Sequence, residues 1–146
     1  IFVTEPEIAE RQPPLTGLGA GAATPARGGV LPKAPRVQRL ANGLMVVLVP
    51  WDSPGIAAYQ TTVRVGSRDE IEAGHTGFAH LFEHMMFRGT DRYPKAVYER
   101  AIQVAGADNN AFTWLDLTNY FLLTPTASLP KIIEIEADRF QHLSYS

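Results

Sequence analysis

Cysteine is absent from the 146 residues. That excludes disulfide staples, thiolate metal sites and cysteine nucleophiles, so any metal must be held by His, Glu or Asp. An excess of positive charge is missing too: 13 Lys and Arg stand against 15 Asp and Glu, for a formal net charge of -2. Without a basic surface to neutralise a phosphate backbone, nucleic acid is not an expected partner. No apolar run approaches the roughly 18 residues of a membrane-spanning helix, and no membrane span is expected. What is present, 45% apolar and 19% charged residues, suffices for one hydrophobic core and not for two. The numbering opens at Ile1 rather than at methionine. A processed or trimmed chain is expected from this; the Pro/Ala/Gly-rich beginning fits a periplasmic or secreted location reached through a removed signal, and trimming of the chain fits equally.

Residues 1–36 hold six Pro, five Gly and a single aromatic, Phe2. Such a stretch buries too little apolar surface to offset its ordering entropy and reads as an extended or disordered leader. Folded structure is expected over 37–146. Val37 to Leu40 and Leu44 to Val49 flank Asn42-Gly43, a pair suited to the positive φ of a hairpin turn. Ile56 to Val65 alternates as a half-buried strand does, with Gly66 closing it. Helical patterns run from Gly74-His75-Thr76-Gly77 onward to about Phe87 and from Lys95 to Val104, the second stopped by Gly106. Asn109 to Thr113 and Asn119 to Thr124 read as strands, and Leu129 to about His142 as a helix with Pro130 in its first turn. The predicted order is β-β-β-α-α-β-β-α, an α+β arrangement without internal repeats.

The chemistry concentrates in Ala79-His80-Leu81-Phe82-Glu83-His84-Met85-Met86-Phe87. At about 100° per helical residue, Glu83 lies roughly 60° to one side of His80 and His84 roughly 40° to the other, so the three share a face. Phe78, Leu81, Phe82, Met85 and Met86 occupy the rest, which predicts a helix buried nearly all round. Two imidazoles and a carboxylate are costly to bury unless something binds them, and a divalent cation would compensate. Histidines at i and i+4 can meet one zinc at about 2.0–2.1 Å, leaving the glutamate to act on a metal-bound water. His-x-x-Glu-His is the inverted form of the zincin motif. By chance it arises on the order of once in a hundred sequences of this size. The alternative is a core helix whose histidines are satisfied by main-chain carbonyls.

The surrounding residues narrow the choice. Gly66-Ser67-Arg68-Asp69-Glu70, then Gly77-Phe78-Ala79-His80-Leu81-Phe82-Glu83-His84-Met85-Met86-Phe87-Arg88-Gly89-Thr90, then Asn110-Ala111-Phe112-Thr113 closely resemble the pitrilysin (insulinase-type) zinc metallopeptidases. The resemblance runs from about Val37 to the C-terminus. It implies an α/β-roll, a mixed and mostly antiparallel sheet packed against helices, of which this chain is the N-terminal portion. It implies Zn2+ held by His80 and His84, with Glu83 as general base. It also implies a third ligand, a glutamate about seventy to eighty residues beyond the second histidine, completing the three-ligand set of a catalytic zinc. That spacing passes Ser146, and Glu134, Glu136 and Asp138 come too early. The third ligand is therefore absent from these residues: the chain is expected to be a fragment, with the remaining part of the catalytic domain supplied by another chain or lost, or a cut form that must reassociate, and by itself it should hold zinc weakly.

The function expected is that of a zinc endopeptidase acting on extended or unfolded polypeptides. A related second domain or subunit is implied as partner in enclosing the substrate. Asn110 and Ala111 match the family's Asn-Ala pair beside the zinc, so the substrate is expected as an added strand along Asn109 to Thr113, with Asn110 holding the scissile carbonyl. The competing readings are a non-catalytic scaffold or binding subunit, suggested by the missing glutamate, and a metal-binding module without hydrolysis. His75 and His142 are secondary metal candidates, better explained as a loop residue and as a helix-end cation. Trp114, Tyr120 and Phe121 are expected to pack in the core or at its edge, and Asp69, Glu70 and Glu72 to be solvated loop charges. Arg88 is expected either to anchor the end of the zinc helix or to face solvent.

Overall fold

The computed structural model describes residues 33–52, 55–72, 74 and 76–144. All but the last four residues of the predicted leader, and His75, lie outside them. The chain divides into two units, Ile1–Trp51 and Asp52–Ser146.

In the first unit β1 (Arg36–Arg39) and β2 (Met45–Leu48) pair antiparallel, Arg36 opposite Leu48 and Arg39 opposite Met45. The predicted turn joins them: Gly43 has φ of 86°, and the Leu40 N–H donates to the Leu44 carbonyl at 2.8 Å. Asn42 Oδ1 accepts from the Leu44 N–H at 3.2 Å, the local bond for which asparagine is favoured in turns.

The second unit contains β3 (Ile56–Val63), α1 (Phe78–Met85), α2 (Lys95–Val104), β4 (Asp108–Thr113), β5 (Thr118–Pro125) and α3 (Leu129–Gln141). The order of elements is the predicted one, and the ends differ slightly. β3 stops at Val63 rather than Val65. α1 stops at Met85, after which the Phe87 and Arg88 N–H groups reach back only three residues, to the His84 and Met85 carbonyls at 3.2 and 2.9 Å. That is the tighter i→i+3 bonding with which helices commonly finish.

The three strands form one antiparallel sheet in the order β3-β5-β4, Tyr59 opposite Leu122 and Ala111 opposite Tyr120. The fold is α+β. Alternation along the central strand sends Thr118, Tyr120, Leu122 and Thr124 to the helix-covered face, where all four are buried. Leu122 meets Tyr98 and Ile102 of α2 and Ile132 and Ile135 of α3 in the core. The spacings i, i+4 in α2 and i, i+3 in α3 put each pair on one helix face. On the opposite face Ile56, Phe112 and Leu123 are exposed. Among the described residues no helix is long and apolar enough to cross a membrane.

Gly66 fixes the loop before α1. A Cβ there would lie 2.3 Å from the Trp114 carbonyl oxygen and 2.5 Å from that of Leu115. Without one, Ser67 and Arg68 donate main-chain hydrogen bonds to those same carbonyls, at 3.0 and 2.8 Å. The loop is thereby tied to the β4–β5 turn.

Candidate active site

α1 begins at Gly77, whose φ of 88° is left-handed and which offers no side chain to cap the helix. The cap comes from seven residues earlier. Glu70 Oε2 accepts from the Gly77 N–H at 2.5 Å and Oε1 from the Ala79 N–H at 2.7 Å, satisfying donors that a helix start leaves open. This corrects the expectation of a solvated charge at Glu70. Asp69 is engaged as well, its Oδ2 accepting from the Gly66 N–H at 2.9 Å. The Ala79 and then the Gly77 hydrogen bond hold the Glu70 carboxyl below its ordinary 4.5. A carboxyl with a depressed folded pKa adds stability that is fully present above its unfolded value and is lost as pH falls through the folded one. Glu70→Gln is therefore expected to lower the melting temperature most at neutral pH, with the gap from wild type closing as the pH drops below 4.5. Parallel melting curves across pH check this, and a gap independent of pH would refute it.

Along α1 the predicted face forms. His80 and His84 are exposed, with Nε2 atoms 3.0 Å apart and ring centroids 4.7 Å apart. Glu83, between them in sequence, turns inward and is 9% exposed. The predicted all-round burial of this helix does not occur: Ala79 and Glu83 are its buried residues, while Phe78, Leu81 and Phe82 are exposed. The sheet can cover only one side of the helix, and β4 and β5 cover the side of Ala79 and Glu83. Burial therefore penalises the carboxylate and not the imidazoles. The Thr113 hydroxyl of β4 offsets that penalty, donating to Glu83 Oε2 at 2.5 Å. Beneath, burial pushes the Tyr120 hydroxyl up to about 12; the Arg139 charge opposes this, and the Glu83 and Glu136 charges add to it.

Two ring nitrogens 3.0 Å apart can both lie about 2.0–2.1 Å from a single zinc ion. The pair thus fits zinc as two of its ligands. Among the described residues no group of three or more His, Cys, Asp or Glu could hold a metal ion. His142 pairs with Asp138 at 3.3 Å at the end of α3. The acidic residues judged too early for a third ligand are engaged elsewhere: Glu134 with Arg92 and Lys131, Glu136 with Arg139, and Asp138 with Thr90. A cavity of about 560 Å³ opens beside Glu83 and His84, bounded also by Met85 of α1, Lys95 of α2 and Asn110 of β4. Arg88, exposed, lies on its wall.

β4 is an edge strand, with β5 on one side and, among the described residues, no strand on the other. The Trp114 N–H donates to the Leu117 carbonyl at 2.8 Å, which sets the phase of the ladder. In an antiparallel pair the main-chain bonds alternate, so residues 108, 110 and 112 face β5, while 109, 111 and 113 direct their N–H and C=O outward. The outward Ala111 N–H is covered by Asn110 Oδ1 at 2.8 Å, which leaves the Asn110 Nδ2 donors available. Of the three aromatics expected to pack, Tyr120 is buried and Phe121 partly so, but the Trp114 side chain is 67% exposed at the β4–β5 turn.

The sequence reading missed Thr113 as the partner of Glu83 and Glu70 as the cap of α1. Both residues sit inside stretches already singled out, yet neither contact has a local signature, since the partners lie 30 and 7–9 residues apart.

The family model for insulinase (peptidase family M16) matches residues 46–144. The chain belongs to this family. It is 36% identical over 115 residues to zinc protease PqqE of Helicobacter pylori, covering 78% of this chain and 26% of that protein. It is 36% identical over 109 residues to the mitochondrial-processing peptidase subunit beta of Bos taurus, covering 73% and 21%. Cytochrome b-c1 complex subunit 1 of Rattus norvegicus is 32% identical over 136 residues, covering 92% and 28%. A crystal structure of a protease from Helicobacter pylori superposes with a TM-score of 0.74 at 34% identity, covering 80% of this chain and 28% of that one. The chain thus spans about a quarter of the length of these relatives. Within the M16 family it carries the zinc-protease type of fold.

Proposed function

We propose that this chain supplies the zinc-binding helix and general base of a zinc endopeptidase that cleaves extended polypeptides. The observation that carries the reading is the division of labour on α1: two exposed histidines with nitrogens 3.0 Å apart, and an inward glutamate held by a single hydroxyl. His80 and His84 would hold the metal, and the third ligand would come from the remaining part of the catalytic domain. A bound zinc supplies Lewis acidity, polarising a carbonyl and making water acidic near neutral pH. Glu83 takes the proton of the attacking water and returns it to the leaving amine. Asn110, whose side chain starts on the Phe112 face of β4 and bends over the strand edge to the Ala111 N–H, would donate its amide to the scissile carbonyl. A related second domain or subunit encloses the peptide, a reading supported by the relative named as a peptidase subunit.

A protease that accepts varied sequences must grip what all peptides share, the main chain, and the outward donors and acceptors of β4 suit this. A peptide paired along the edge would take over the Ala111 N–H from Asn110 Oδ1, and in the full-length protein Ala111→Pro, which removes that donor, is expected to raise KM for long unstructured peptides up to about five-fold, with zinc content unchanged. Residue 111 does not bond to β5, so proline should leave the sheet intact. Peptide hydrolysis with and without a chelator, in wild type and variant, tests both statements. Cleavage that survives complete metal removal would overturn the zinc reading, and an unchanged KM would overturn the strand.

The second reading is a non-catalytic scaffold. It is favoured by the relative named as a subunit of the cytochrome b-c1 complex. Full-length protein that neither binds zinc stoichiometrically nor cleaves peptide would support it.

A further inference from the structure

We propose that Thr113 is the positioning residue for Glu83, fixing the carboxylate from the very strand whose edge receives the peptide. The inference rests on Glu83 being the general base. A glutamate side chain turns easily about its last torsion, which is broad and two-fold. At 9% exposure little of it meets water, and among the described residues its hydrogen-bond partner is Thr113 Oγ1, at 2.5 Å. That bond engages Oε2 and leaves Oε1 to accept a proton.

The donor is itself held. Thr118, opposite Thr113 in the sheet, is buried and donates its own hydroxyl proton to the Val65 carbonyl at 3.0 Å. The two threonine oxygens lie 3.3 Å apart. The single proton of Thr113 goes to the carboxylate, a charged acceptor at 2.5 Å, and not to the neutral Thr118 hydroxyl oxygen at 3.3 Å. Branching at Cβ restricts the Thr113 χ1 and helps to keep it there. Thr113 is also the last residue of β4, two positions from Ala111, and its main-chain groups share the outward edge. A peptide paired along that edge braces the residue that orients the base.

The test uses the full-length protein. Thr113→Val keeps the shape and removes the hydroxyl: kcat is expected to fall about 10- to 100-fold with KM and zinc content within about two-fold, since a displaced base loses part of its acid–base contribution. Thr113→Ser is expected to restore kcat to within about three-fold of wild type, because it returns the donor. A crystal structure of Thr113→Val should show the Glu83 carboxylate turned from its position in the wild type. Should the valine variant fail to fold, Thr113→Ala set against Thr113→Ser makes the same comparison. Wild-type kcat in the variants lacking the hydroxyl, or a serine variant as slow as they are, would overturn the inference. Glu83→Gln in the same assay separates the two proposals: if it is inactive and Thr113→Val is not, only the role of Thr113 falls.

Discussion

Replacing Glu83 by glutamine is expected to leave zinc bound and to remove nearly all turnover of the full-length protein, a loss of about 10²- to 10⁴-fold. Glutamine has the same shape and can still accept the Thr113 hydroxyl through its amide oxygen, so the packing of α1 against β4 survives. What it lacks is basicity, for an amide takes no proton from an attacking water. His80→Ala and His84→Ala should behave differently. Each removes one of the two exposed nitrogens that lie 3.0 Å apart, and zinc and activity should disappear together. Elemental analysis alongside a peptide-cleavage assay distinguishes the outcomes. Turnover of Glu83→Gln near the wild-type rate would remove Glu83 from the mechanism.

Glu136→Ala should be among the most destabilising substitutions in the chain, costing about 3–5 kcal/mol, because it strands a buried charge. The Glu136 and Arg139 side chains, paired one turn apart on α3, are 0% and 2% exposed. The guanidinium of Arg139 stands 5.1–5.4 Å from the ring centres of Phe87, Tyr98, Tyr120 and Phe140. Its Nε and Nη1 have no hydrogen-bond partner among the described residues. Aromatic faces attract a cation but do not replace its counter-charge, so removing Glu136 leaves Arg139 uncompensated. The Tyr98 hydroxyl loses an acceptor at the same time, since it donates to Glu136 Oε1 at 3.2 Å. The double substitution Glu136→Leu with Arg139→Met removes both charges and should recover most of the loss. Urea unfolding of the full-length protein measures both variants. A Glu136→Ala midpoint equal to wild type would show that the pair contributes nothing to stability.

The kinds of element and their order were legible because the forces that choose them act between near neighbours. Asn42-Gly43 permits positive φ, Gly106 stops a helix, and Ile56 to Val63 alternates as a half-buried strand does. The proximity of His80 and His84 was legible for the same reason, since an i, i+4 spacing on a helix fixes it before anything packs. Burial was not. Phe78, Leu81 and Phe82 look like core residues in sequence, yet only one side of α1 meets the sheet, and a composition pattern does not say how many partners a helix has. The phase of β4 was likewise hidden: a shift of one residue would exchange the outward N–H groups of residues 109, 111 and 113 for those of 108, 110 and 112. That choice is made by pairing with β5 across the turn at Trp114. By itself, the sequence determined that His80, Glu83 and His84 share one helix. The tertiary structure decided what holds them, the Glu70 cap on the helix and the Thr113 hydroxyl on Glu83, because hydrogen bonds between residues distant along the chain exist only once the sheet has set their register.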